Sequence, residues 1–217
     1  MCGRYYFDID DIELRKICEE AERNLYGDFK AGDIYPANIA PIFILNDKIM
    51  KPSLVEWGFP NQKSKGLIIN ARVETISEKP TFKKLIKTNK CIVPASAFYE
   101  WKSDFSNKKS KDKYIISKAD SPIYMAGLYD IVTEKNEDKQ INLFDYYGEQ
   151  GTAPDCHDNK KHIYFTIITR EANNSMMKIH NRMPLILNKN EISDWLMGKD
   201  ILKISEANNV DLKCELL

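Results

Sequence analysis

The chain has 217 residues, 43% hydrophobic and 29% charged, a size and balance that suit one globular domain with a real core and exclude a disordered or fibrous chain. Its 32 basic and 32 acidic side chains cancel, so no global field favours a polyanionic partner and any such partner must be gripped locally. No apolar run approaches the ~18 residues of a bilayer span and no secretory leader opens the chain, so the expectation is a cytoplasmic protein without membrane contact, nucleoid-associated if bacterial.

The chain starts "MCGRYYF", and processing that removes Met1 ahead of a small residue would leave Cys2 at the mature N-terminus. From Ile9 to Leu25 the spacing predicts an amphipathic helix: Ile17, Ala21 and Leu25 recur every four residues, Asp10 and Asp11 stand at its start and Gly27 at its end. Cys18 lies beside that stripe as a packing residue. "DIYPANIAPIFIL" reads as an extended segment entering a strand. The runs "SLVEWGF", "GLIINARVET", "KCIVPASAFYEW", "DKYIISK", "PIYMAGLYDIV" and "KHIYFTIIT" follow at irregular spacing. They point to a largely antiparallel system and an α+β class.

"KSDFSNKKSKDK" reads as a solvated turn, and the polar stretch from about 132 to 162 as a long loop or hairpin inserted in a single domain. Cys156, His157 and His162 lie in that stretch, but five scattered cysteines without a CxxC pair indicate neither a disulfide framework nor a zinc site. No metal or cofactor is expected. Two helices are predicted late: "REANNSMMKIHNRMP", with Ala172, Met176 and Ile179 on one face and a stop before Pro184, and "NEISDWLMG", with Ile192, Trp195 and Leu196 before Gly198.

Four residue groups could do chemistry. A mature N-terminal Cys2 would carry an α-amine and a thiol on adjacent carbons, able to form an imine with an aldehyde and close through sulfur to a five-membered thiazolidine. Its unperturbed amine titrates near ~7.7 to 8.0, so a useful fraction is free at neutral pH; the plain alternative is that position two is a free choice. "INARVET" places Asn70, Arg72 and Glu74 on one face of an extended segment, either as an ordinary half-exposed strand or as a grip on a substrate oxygen and a phosphate.

Glu100 in "SAFYEW" either sits among aromatics, where desolvation would tune it for proton transfer, or points outward while Phe98 and Trp101 pack. His180 in "KIHNRMP" is either a structural cap or a proton shuttle. Of six arginines, Arg4, Arg72 and Arg182 fall inside these motifs while 26 lysines are dispersed, which points to an anionic ligand at one site.

Taken in order, "MCGRYYF", "YPANIAP", "WGFP", "INARVET", "EKPTF", "CIVPASAFYEW", "MAGLYD", "FTIITREAN" and "IHNRMPLIL" resemble the SOS-response-associated peptidase (SRAP) family, whose proteins shield abasic sites in single-stranded DNA covalently during the DNA damage response. The resemblance runs from Met1 to about Leu187. It implies an open, barrel-like antiparallel core with a few peripheral helices and a monomer. It implies that Cys2 bonds to the ring-opened abasic deoxyribose, that Glu100 moves protons, that His180 assists ring opening and reversal, and that Asn70 holds the sugar and N-terminus in register. Arg4, Arg72 and Arg182 become phosphate ligands, and Trp57 and Pro36 contact or wedge against bases. Asn181 follows His180 where an Asp also occurs in the family, and the tail beyond about Gly198 carries none of the motifs. Two other readings remain: a cysteine peptidase or autopeptidase with Cys2 as N-terminal nucleophile, and a noncovalent single-strand binder in which Cys2 is incidental.

Overall fold

The computed structural model describes residues 2–24, 29–46, 49–61, 65–103, 111–119, 121–133 and 161–217. Two sheets dominate. The first is antiparallel and runs β14 (Lys213–Leu216), β10 (Lys111–Ser117), β9 (Ala97–Ser103), β1 (Tyr5–Phe7), β2 (Gly32–Ile34). Along β1 the residues alternate: Tyr5 and Phe7 are buried while Tyr6 between them is half-exposed. Tyr5 stands opposite Phe98, and both side chains are fully buried.

The second sheet runs β11 (Ile123–Thr133), β8 (Lys90–Ala95), β3 (Ile39–Asn46), β4 (Ile49–Trp57), β12 (Lys161–Glu171), β13 (Arg182–Pro184). A further β11–β12 pairing returns that path to its start, a closed version of the expected barrel-like core. β8 is buried at all six positions because, besides pairing with β11 and β3, it is packed against by other elements, β1 among them, which explains why "KCIVPA" lacks alternation. β7 (Asn70–Arg72) and β4 pair with β12 in parallel, the exceptions in a mostly antiparallel fold. β5 (Phe59–Pro60) and β6 (Leu67–Ile68) form a short separate ladder.

The first helix, α1 (Ile12–Asn24), starts three residues later than the sequence suggests, because Asp11 Oδ1 accepts from the amides of Glu13 at 2.8 Å and Leu14 at 3.0 Å and so caps it. It buries Leu14, Ile17, Cys18 and Ala21, against β3 and β4; the predicted Leu25 and Gly27 lie outside the described residues. Short helices α2 (Pro80–Lys83) and α3 (Leu85–Thr88) follow. The predicted helix over "REANNSMMKIHNRMP" is not formed: the chain turns through Asn174–Ile179, and Arg182–Pro184 is strand β13, paired to β12. Asn173 diverts the chain, its side-chain oxygen accepting from Met176 N at 3.2 Å while its amide group donates to Val210 O at 2.8 Å.

The late helix α4 (Lys189–Leu196) forms as predicted, and Trp195 anchors it through an Nε1 hydrogen bond of 3.1 Å to the β8 carbonyl of Cys91. Beyond it, α5 (Ile201–Ala207), capped by Asp200, leads to β14. The tail that lacks motifs thus supplies an edge strand of the first sheet.

The chain divides into two compact units, Met1–Asp130 with Tyr164–Leu217, and Ile131–Ile163. The second holds the end of β11 and the start of β12. Its "INLFDYY" run, Cys156 and His157 lie outside the described residues, as does most of the predicted lysine-rich turn. No described helix is long and apolar enough to cross a membrane.

Gly127 lies opposite Cys91 in the β11–β8 ladder. A Cβ there would stand 2.8 Å from Cys91 Sγ and 2.9 Å from the Thr166 carbonyl oxygen, so Gly127→Ala should cost about 1–3 kcal/mol by overpacking. The check is a urea titration, in which the midpoint should fall with the slope unchanged.

Candidate functional site

Cys2 stands just before β1 and is fully buried. Two hydrogen bonds hold it. Its thiol donates to the carbonyl oxygen of Arg4 at 3.9 Å, and its own carbonyl oxygen accepts from Asn70 Nδ2 at 2.8 Å. Asn70 can reach because it opens β7, which the parallel ladder to Ile167–Thr169 fixes in place. Glu100 on β9 is 3% exposed, so it does not point outward. Burial, and next the charge of Glu100, push the Cys2 thiol up to about 12. At neutral pH the sulfur is therefore a protonated thiol.

β7 links this cluster to an open cleft, since Arg72 lies two residues beyond Asn70 on the same strand and lines the cleft with Glu171, His180, Asn181 and Arg182. His180 Nδ1 accepts from the backbone amide of Arg182 at 2.9 Å. Glu74 is not on the extended segment, because the backbone turns into a 3-10 helix over Val73–Thr75. The buried–exposed alternation of Ala71 to Glu74 still holds.

The three motif arginines differ. Arg182 is 9% exposed and forks onto Glu74, with Nη1–Oε1 at 2.6 Å and Nη2–Oε2 at 3.0 Å, while Nη2 also donates to Thr169 O at 2.9 Å. Burial pushes the Glu74 carboxyl up, but the Arg182 fork and the charges of Arg182 and Arg72 together hold it below its usual range. Arg4 is ion-paired to Asp33 and lies over two rings, 4.8 Å from the centroid of Tyr35 and 4.7 Å from that of Tyr99. Its hydrogen bond holds the Asp33 carboxyl below the usual carboxylate range. Arg4 and Arg182 thus already have carboxylate partners. Arg72 is exposed and makes no ion pair among the described residues.

Trp57, expected against bases, lies instead in the core. It is fully buried, stacks on Phe165 at 6.2 Å, packs on Tyr5 at 5.2 Å and donates its indole N–H to Ile69 O at 3.1 Å. It has no face left for a nucleotide. Pro36 is half-buried in the turn between exposed Tyr35 and Ala37. Sequence reasoning missed Asp33, Tyr35 and Tyr99 as partners of Arg4. The motif "DIYPAN" held the signal, but the pairing spans 29 residues and no local pattern shows it. Among the described residues no group of three or more His, Cys, Asp or Glu could hold a metal ion.

Among solved structures, the chain matches a protein from Bacteroides thetaiotaomicron with a TM-score of 0.70 at 22% identity, covering 100% of this chain and 92% of the other. A second match, from Bordetella bronchiseptica, also has a TM-score of 0.70, at 21% identity, and covers 100% and 99%. These likenesses establish the fold. In sequence the chain is 31% identical over 215 residues to the abasic site processing protein YoqW of Bacillus subtilis, covering 92% of this chain and 82% of that protein. It is 27% identical over 222 residues to the abasic site processing protein YedK of Escherichia coli, covering 97% and 87%. The family model described as SOS response associated peptidase (SRAP) matches residues 1–213. With a match over nearly its whole length, and with Cys2, Asn70 and Glu100 converging in the fold, this chain belongs to the SRAP family.

Proposed function

We propose that this protein processes abasic sites in single-stranded DNA by forming a thiazolidine crosslink through Cys2, once Met1 has been removed. The observation that carries the reading is the convergence on Cys2: Asn70 holds its carbonyl at 2.8 Å, and buried Glu100 is near enough for its charge to raise the thiol. The names of the relatives, abasic site processing proteins, support the substrate.

The chemistry follows from the protonation states. A thiol held near 12 is a poor nucleophile, whereas an unperturbed α-amine, titrating near ~7.7 to 8.0, keeps a useful free fraction at neutral pH. The amine therefore attacks the C1′ aldehyde of the ring-opened sugar first, and loss of one water gives an imine. The sulfur then adds to the imine carbon, its proton leaves to Glu100, and a proton is returned to the nitrogen. One C–N and one C–S bond form, one C=O bond is lost as water, and no oxidant or cofactor is needed. Both nucleophiles belong to one residue, so closure is intramolecular and strongly favoured. His180, in the cleft that Arg72 lines, is placed to act on the sugar ring oxygen during opening, and Arg72 offers its guanidinium to a phosphate.

The peptidase reading requires a thiolate at neutral pH, which burial and Glu100 both oppose; the same environment suits a sulfur that adds after the amine.

Four outcomes test this. In a denaturing gel with single-stranded DNA carrying one abasic site, wild-type protein shown by intact mass to lack Met1 should give a slow-migrating band, and Cys2→Ala none. A band that persists in Cys2→Ala sinks the assignment. Alkylation of Cys2 by iodoacetamide should be slower in the folded protein at pH 8 than after unfolding in urea, and should still rise about tenfold per pH unit above pH 9, where an unperturbed thiol levels off. Glu100→Gln should move two rates in opposite directions: alkylation of Cys2 becomes faster because a negative charge has gone, and crosslinking slower because the proton acceptor has gone. Arg72→Gln should weaken single-strand binding and reduce the slope of log affinity against log salt by about 0.7, the share of the slope that one neutralised phosphate supplies on a single strand.

A further inference from the structure

The first sheet carries a stack of alternating cations and rings that the proposed chemistry does not use. Lys113 Nζ lies 4.3 Å from the centroid of Tyr99, and the Arg4 guanidinium lies 4.7 Å from that of Tyr99 and 4.8 Å from that of Tyr35. Asp33 fixes the guanidinium of Arg4 in this position. The inner members are covered: Tyr99 is 6% exposed, and the side chain of Arg4 is 19% exposed. The outermost ring, Tyr35, is 44% exposed.

That exposure is held in place by the backbone. Tyr35 N donates to Asn38 Oδ1 at 2.9 Å, Asn38 N donates to Tyr35 O at 3.0 Å, and Ala37 N donates to Trp57 O at 2.8 Å. Ala37 adopts φ 69°, a left-handed conformation that an alanine occupies at a cost. The turn is thus bound to the core strand β4 while it presents an aromatic ring to solvent, above an open cleft bordered by Lys30 and Asn38.

With a guanidinium on one side of its ring, Tyr35 is already polarised, and a second cation on the other side would face like charge. A flat, uncharged π-system is the better occupant. The stack also starts beside the nucleophile: one atom, the carbonyl oxygen of Arg4, accepts from Tyr99 N at 3.0 Å and from the Cys2 thiol at 3.9 Å.

We propose that Tyr35 is a stacking site for an unpaired nucleobase that neighbours the abasic nucleotide, with Lys113, Tyr99 and Arg4 as the fixed support beneath its ring. This rests on the crosslinking function and names the part of the strand that the protein reads beyond the missing base. An abasic nucleotide has no base to stack, so a neighbouring base supplies the interaction that places the sugar at Cys2. Every base has a π-face, so the site tolerates any sequence.

The test uses the full-length protein and single-stranded oligonucleotides carrying a tetrahydrofuran abasic analogue, which has no aldehyde and cannot crosslink. One oligonucleotide has ordinary bases on both flanks, and two others have a baseless spacer on the 5′ or the 3′ flank. Binding is read by fluorescence anisotropy. On the fully based strand Tyr35→Ala should lose about five- to 100-fold in affinity while Tyr35→Phe stays within about twofold of wild type. On one of the spacer strands, wild type and Tyr35→Ala should bind alike, which identifies the flank. Equal loss by Tyr35→Ala on all three strands would mean that the ring acts by supporting Arg4, and no loss on any would mean that it touches no base; either result overturns the proposal. Circular dichroism melts of the variants exclude misfolding, to which an exposed ring is little prone. Crosslinking of wild type to an authentic abasic strand is scored separately, so failure there counts against the crosslinking function and not against stacking at Tyr35.

Discussion

The site depends on the position of one short strand. Residues leading into a domain are usually its loosest part, because little packing holds them. Here β1 lies inside a five-stranded sheet with β9 on one side and β2 on the other, so the segment before it has no freedom to fray. Tyr5 and Phe7 anchor the strand in the core, and Asn70 ties the Cys2 carbonyl from a different sheet. The proposed crosslink, in which the amine and thiol of one residue meet the same carbon, needs this fixation, since ring closure gains its advantage only when both groups are already oriented.

In the proposed reaction, burial then sets the order of events at that residue. Desolvation and a neighbouring carboxyl both disfavour the thiolate, so the protein keeps its sulfur protonated. For a peptidase this would be a defect. For the proposed reaction, in which nitrogen acts first, it is protective, because a protonated buried thiol resists oxidation and stray electrophiles.

Electrostatics outside the cluster follow a similar economy. The chain has no net charge, and two of its three motif arginines are held by carboxylates: Arg182 by Glu74 and Arg4 by Asp33. Those pairs align β13 with the 3-10 turn and β1 with β2, and leave Arg72 as the exposed guanidinium of the cleft. On the proposed function, recognition of a strand through such a surface would rely on a few placed groups rather than on a field.

The sequence by itself determined the class of fold, the strands with clear β-branched runs, the late helix over "NEISDWLMG" and the short motifs that hold Cys2, Asn70, Glu100 and His180. These signals are local: a period, a capping residue or a turn can be read within about ten positions. Only the tertiary structure decided the rest. It placed Trp57 in the core, because Tyr5 and Phe165 from distant strands cover its faces. It replaced a helix at Met176 by turns, because the Asn173 side chain binds Val210 far along the chain. It converted Arg4 and Arg182 from free cations into paired ones, across 29 and 108 residues. A side chain's partner is chosen by which strands become neighbours, and that choice is a property of the whole packed chain, not of any window in it.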